Sequence, residues 1–148
     1  MVLALGPAVV AAAPPAQAYA PSRAAVATYE AQLVRQINVQ RVKYHRPRLT
    51  AGRLASCPHY YAKVWSAYLA RTGGFYHQSM VRLLNKCHAS VAAENLALGN
   101  VSVARFVTLW MLSPGHRRNI LDGRLTRIGV AAVYARGQWT VTTDFTRP

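Results

Sequence analysis

With 148 residues, 52% of them hydrophobic and only 15% charged, the chain is long enough for one domain with a buried core and too short for two. Its 18 Lys plus Arg against 4 Asp plus Glu give a formal charge of +14, which concentrates anionic partners near the surface, whether nucleic acid, phospholipid headgroups or acidic wall polymers. No aromatic-and-basic nucleic-acid motif sharpens that choice, and a mostly arginine excess fixes solubility and steering rather than a specific ligand.

The first twenty residues, MVLALGPAVVAAAPPAQAYA, are apolar and uncharged and end in two A-x-A sequences, Ala16-Gln17-Ala18 and Ala18-Tyr19-Ala20. They read as a secretory signal peptide without its usual basic start, which points to a secreted protein. A transmembrane helix is the competing reading, but Pro7, Pro14 and Pro15 interrupt the run before it reaches the roughly 18 apolar residues a span needs. Export would place Cys57 and Cys87 in an oxidising compartment, where an even pair tends to close. Such a bridge would contribute roughly 3 to 4 kcal/mol through loop closure.

Residues 21–27 read as a short linker, so the folded domain is expected over 28–148. A helical pattern runs from Thr28 to Val42, with Tyr29, Leu33 and Ile37 at i, i+4 spacing, and dies in the basic, proline-bearing KYHRPRL. A second helix is expected from Ala51 to Arg71, with Leu54, Tyr61, Val64, Trp65, Tyr68 and Leu69 on its apolar stripe and Gly73-Gly74 as its stop. Pro58 must either start a new segment of it or kink it.

Ser102 reads as the N-cap of a third helix whose Val103, Phe106, Val107, Trp110 and Met111 follow helical spacing; Leu109 and Leu112 make its other face apolar too. Ser113-Pro114 is a further helix start, the serine oxygen capping and the proline at the first position, which makes His116 the third helical residue. The period then changes to two: Ile128, Val130, Ala132 and Tyr134, a turn at Arg136-Gly137, then Trp139, Val141, Thr143 and Phe145. Both faces of this antiparallel hairpin are apolar or small. The expected class is therefore α+β, an α/β/α sandwich with a small central antiparallel sheet flanked by helices.

Three residues stand out chemically. The helix dipole and the net positive field both disfavour protonating His116, so a neutral imidazole able to ligate a metal or accept a proton is expected. The alternative is a histidine that only bonds a buried partner. His77 follows the Gly-Gly terminator in FYHQS, and Glu94 is an acid in apolar VAAENLALG, where a buried carboxylate requires a partner. His45 sits in a basic linker, and His59 and His88 read as surface residues flanking the cysteines.

Taken in order, LVRQINVQR, Pro47-x-Leu49, the Trp65 helix, GGFYHQS, AENLALG, WMLSPGHRRNIL, the IGV strand and the final TDF closely resemble the bacterial branch of the CAP superfamily (cysteine-rich secretory proteins, antigen 5, pathogenesis-related proteins), also called SCP-like. The resemblance covers about Thr28 to Phe145, with W-x-x-S-P-G-H-R-x-N-I its most specific element. It implies an α/β/α sandwich around a three-stranded antiparallel sheet, and a cleft lined by His77, Glu94 and His116. In two places the chain departs from the family pattern: Ala93 replaces the usual glycine before the glutamate, and Met111-Leu112-Ser113 stands where many eukaryotic members carry a second glutamate.

Two histidines and a carboxylate form a ligand set that zinc or another divalent cation accepts. No nucleophile is evident: Ser113 is explained as a cap, and Ser79 beside His77 lacks a third member. The leading expectation is a secreted, monomeric, non-enzymatic binding protein whose cleft takes a divalent cation or small ligand and whose basic, aromatic surface meets lipid or cell-envelope material, lipid entering by the resemblance alone. The alternatives are a metal-assisted, peptidase-like hydrolase with Glu94 as general base, and a basic adhesin for anionic polymers with a vestigial cleft.

Overall fold

The computed structural model describes residues 20–148. Residues 1–19, on which the leader reading rests, lie outside the described residues, as does the side chain of Leu54. The elements in order are α1 (Arg23–Lys43), a 3₁₀ turn (Gly52–Ala55), α2 (Ser56–Thr72), α3 (Met80–Cys87), β1 (Val91–Gly99), α4 (Val103–Leu112), α5 (Pro114–Leu121), β2 (Arg127–Ala135) and β3 (Gln138–Arg147). The strands form one antiparallel sheet in the order β1-β3-β2.

Helix α1 begins before the apolar periodicity does, because Ser22 accepts from the Ala25 N–H at 3.2 Å and starts it. The stretch expected as linker is therefore helical from Arg23 onward. Leu33 and Ile37 are fully buried, and Tyr29 stacks on Trp139 with ring centroids 4.1 Å apart. The polar residues of this helix are structural. Asn38 clamps Leu49 through both backbone groups, at 3.1 and 2.7 Å. The fully buried Arg41 donates to the carbonyls of Pro47, Ile120, Asp122 and Leu125, tying the two long loops to the helix.

The second expected helix divides into a 3₁₀ turn and α2. Pro58 is the third residue of α2, in the first turn, where a missing N–H removes no intrahelical bond, and Gly73 ends the helix at φ 76°. A disulfide joins Cys57 at its start to Cys87 at the end of α3. Serines cap α3 and α4: Ser79 accepts from Arg82 N and Ser102 from Arg105 N, each at 3.2 Å. Ser113 corrects the expectation of a side-chain cap. Its hydroxyl makes no capping bond; its extended backbone instead serves both neighbours, donating to Leu109 of α4 and accepting from Arg117 of α5.

The hairpin turn falls where expected, with Arg136 at φ 53° and Gly137 at φ 76°, the two positive values a two-residue hairpin loop requires. One face of the sheet carries Ala97, Ile128, Val130, Ala132, Val141 and Phe145, which form the main core with α1, α4 and α5. The other face carries Glu94, Gly129, Ala131, Thr142 and Asp144 and is covered by α2, whose Ser66 donates to Ala131 O at 3.0 Å. Gly129 permits this close approach: a Cβ there would lie 2.1 Å from the His59 backbone nitrogen. The outer edge of β2 is also occupied, by Thr50 on Ile128, by the His59 ring on Val130 O at 2.8 Å and by Glu30 on Ala132 N at 2.9 Å. His59 thus bonds the sheet edge rather than merely flanking the disulfide.

Candidate functional site

The site is built around the opposite edge strand, β1. Glu94 is nearly fully buried and its two oxygens are both engaged. Oε1 accepts from His77 Nδ1 at 2.6 Å and from the Gln78 N–H at 3.2 Å, and Oε2 accepts from Gln78 Nε2 at 2.8 Å. The partner that a buried glutamate requires is thus the His77-Gln78 pair. The imidazole side chain of His77 stays 58% exposed while its Nδ1 is fixed from behind, which leaves Nε2 as the ring's other polar atom.

A second carboxylate lies in the same site. Asp144 is Glu94's register partner on β3, is fully buried, and receives Gln78 Nε2 at 3.0 and 2.9 Å. One amide therefore bridges two buried acids. Burial pushes the Asp144 carboxyl well above the ordinary range, and the charge of Glu94 adds to it, against the Gln78 bond. Glu94 is also raised, chiefly by burial, while the bonds from Gln78 and His77 pull it back.

His116 approaches from the other side of β1. Its place is set by a backbone-level zipper between the ENL and GHRRN segments. Asn119 donates to Glu94 O and to Asn95 Oδ1, both at 2.9 Å, and Asn95 donates to His116 O at 3.1 Å. Trp110 Nε1 donates to Leu96 O at 2.9 Å, and its ring lies 6.5 Å from the His116 ring. His116 borders a cavity of about 280 Å³ with Leu96, Leu98, Phe106, Leu109 and Trp110. Its basicity is lowered, first by burial and second by the charge of nearby His77. The neutral imidazole expected from the sequence is thus favoured, although desolvation rather than the helix dipole leads.

The structure brings the three expected residues to one strand, but not as three equivalent ligands. Among the described residues no group of three or more His, Cys, Asp or Glu side chains is arranged to hold a metal ion. Three protein donors reach the two oxygens of Glu94, and its bond to His77 Nδ1 orients that ring. His77 and His116 remain as nitrogen donors of a type that zinc accepts. Gln78 and Asp144 were not identifiable beforehand. The TDF motif marked Asp144 only as part of a strand, and only the β1–β3 register places it opposite Glu94. Two larger cavities, of about 430 and 580 Å³, lie along the β2 edge between α1 and α2, and neither touches His77, Glu94 or His116. No helix among the described residues is long and apolar enough to cross a membrane.

Solved structures share this architecture. An outer surface protein from Borrelia burgdorferi superposes with a TM-score of 0.71 at 18% identity, over 79% of this chain and 90% of its own. An extracellular protein containing a SCP domain from Bacillus anthracis gives 0.68 at 23% identity, over 86% of this chain and 44% of its own. At these identities the likeness concerns the fold. A Bacillus subtilis relative, the uncharacterized protein YkwD, is 45% identical over 49 residues, which are 33% of this chain and only 19% of that protein. The model of the cysteine-rich secretory protein family, CAP, matches residues 40–145, most of the chain and every residue of the site described above, and the chain belongs to that family.

Proposed function

We propose that the chain is an exported, non-enzymatic binding protein of the cell envelope, whose cleft takes a divalent cation such as zinc or a small ligand and whose basic surface meets lipid or anionic envelope material. The observation that carries the reading of the cleft is the hydrogen-bond pattern of Glu94. A glutamate acting as general base on water needs a free oxygen aimed at the substrate. This one is buried and spends both oxygens on His77 and Gln78. Its role is to hold the His77 ring with Nε2 available, beside a second imidazole that burial keeps neutral. Two imidazoles form a cation-accepting pair, and a carboxylate behind one of them fixes its orientation as a ligand. Export is supported by the apolar leader ending in A-x-A, and the envelope by the +14 charge.

Zinc titration by calorimetry tests the cleft. Wild type should bind one equivalent, His77→Ala and His116→Ala should abolish binding, and Glu94→Gln should weaken it by about 10- to 100-fold, as loss of an orienting carboxylate does. Equal zinc uptake by wild type and both alanine variants would remove the metal from the cleft. Peptide hydrolysis lost specifically in Glu94→Gln would establish the hydrolase in place of the binding protein.

A further inference from the structure

The outer face of α2 and the segment leading to His77 carry an aromatic surface that the cleft does not use. Tyr60 and Val64 are spaced i, i+4 on α2 and stand 59% and 44% exposed; Phe75 and Tyr76 follow at 52% and 48%, and Val81 on α3 at 65%. Within this surface Tyr76 is tied to α2 by ring contacts. Trp65 stacks on Tyr68 at 5.2 Å and meets Tyr76 edge-on at 5.6 Å. Trp65 Nε1 donates to Tyr76 O at 3.0 Å, and the Tyr76 hydroxyl donates to that of Tyr68 at 2.9 Å, so the loop is pinned to the helix.

Cations edge the same surface. Arg71 lies over the Tyr68 ring at 5.5 Å and Arg82 over Tyr61 at 5.8 Å, and Lys63 is exposed on α2. No acid lies in the stretch that carries them, although Lys63, on the flank of α2 toward the β2 edge, borders a cavity that Glu30 also lines. Of the four acids in the chain, Glu30 caps the β2 edge, Asp122 pairs with Arg124, and Glu94 and Asp144 are buried in the site. The stretch 56–90 contains Lys63, Arg71, Arg82 and Lys86 and no acid at all.

From this combination we infer that the α2–α3 face docks the domain on an anionic lipid bilayer, with Phe75, Tyr76, Val64 and Val81 entering the headgroup zone and Lys63, Arg71 and Arg82 meeting the lipid phosphates. The inference deepens, and rests on, the envelope-binding half of the proposed function. A soluble anionic polymer would need only the cations and leaves the exposed apolar side chains without a role. A bilayer interface uses both, because amphipathic rings settle at headgroup level while basic side chains gain from the negative surface potential. Since Phe75 and Tyr76 lead directly into His77, docking would hold the cleft mouth at the membrane surface.

Vesicle co-sedimentation with the full chain tests this, comparing phosphatidylcholine alone with an equimolar phosphatidylcholine–phosphatidylglycerol mixture. The leader is common to all variants and cancels between them. Wild type should partition preferentially to the anionic vesicles. Lys63→Glu with Arg71→Glu should weaken that binding by at least about thirtyfold, at roughly tenfold per 1.4 kcal/mol for the two cations lost, with the two added carboxylates repelling the lipid further. Phe75→Ser with Val81→Ser, both on exposed side chains whose loss should leave the fold's melting temperature unchanged, should weaken it by about tenfold or more. Arg35→Glu with Arg105→Glu makes the same charge change on exposed residues of α1 and α4, in the other helical layer, and should leave it within about threefold. If that distal pair weakens binding as much as the α2 pair while the serine pair does nothing, binding follows net charge and the docking face is overturned. Binding to a soluble polyanion without binding to vesicles would overturn the bilayer while leaving the envelope reading standing. Binding to neither would remove both.

Discussion

Replacing Asp144 with asparagine isolates the cost of placing two carboxyls in one buried site. Asp144 is fully buried, faces Glu94 across the β1–β3 register and shares the Gln78 amide with it. Burial first, and the Glu94 charge second, raise its carboxyl well above the usual range. A raised native value means that, above the unfolded value of about 4, the folded chain binds more protons than the unfolded chain. Stability therefore falls as pH rises from there and levels off only once the folded group has titrated. The slope is up to about 1.4 kcal/mol per pH unit for this group, and Glu94, raised in the same direction, adds to it. The asparagine side chain keeps an oxygen for Gln78 and cannot ionise. Variant and wild type should be nearly level at about pH 4, and the variant should gain on wild type by up to about 1.4 kcal/mol per unit toward neutrality. Urea unfolding followed by tryptophan fluorescence, in chelator-containing buffer across that range, measures the gap. A gap that does not change with pH, or one that turns against the variant as pH rises, would refute the reasoning.

Two further outcomes follow from the helix ends and the sheet face. Ser102→Ala should cost about 1 kcal/mol, because it removes a side-chain cap, whereas Ser113→Ala should cost under about 0.5 kcal/mol because that hydroxyl caps nothing; paired thermal melts distinguish them. Gly129→Ala should cost about 3 kcal/mol or more, since the added carbon would meet the α2 backbone 2.1 Å away rather than a movable side chain, and a midpoint within about 0.5 kcal/mol of wild type in urea would contradict the packing of α2 on that face.

What was legible in the sequence was whatever local chemistry decides. Period-two alternation with Arg136-Gly137 fixed the hairpin and its turn, Ser102 announced α4, and Gly73 ended α2. Strand β1 was not legible as a strand, because its interior is buried between β3 and the helices on both faces and so shows no alternation. Helix α3 was missed because eight residues give too little period to register, although Ser79 capped it in plain view. Only the family resemblance grouped His77, Glu94 and His116 in one cleft; in the structure His77 bonds Glu94 of β1, and the neighbouring Asn95 donates to the His116 carbonyl.

Their division of labour was decided by tertiary structure alone. Residues 77, 94, 116 and 144 come from four separate segments, and no spacing along the chain says that Glu94 would spend both oxygens on His77 and Gln78, or that the β1–β3 register would set a second acid against it. The exposed aromatic face shows the same limit. Helical spacing marked Val64, Trp65 and Tyr68 as an apolar stripe, but which side of α2 the sheet would cover depended on Gly129, Ala131 and Thr142 lying beneath it, small enough to draw the helix down on Ala62, Ser66 and Leu69 and leave the larger rings outside. Chain-local chemistry sets where elements start, stop and turn; which groups lose water, and so which carboxyl is raised and which imidazole stays neutral, is settled only when distant segments pack.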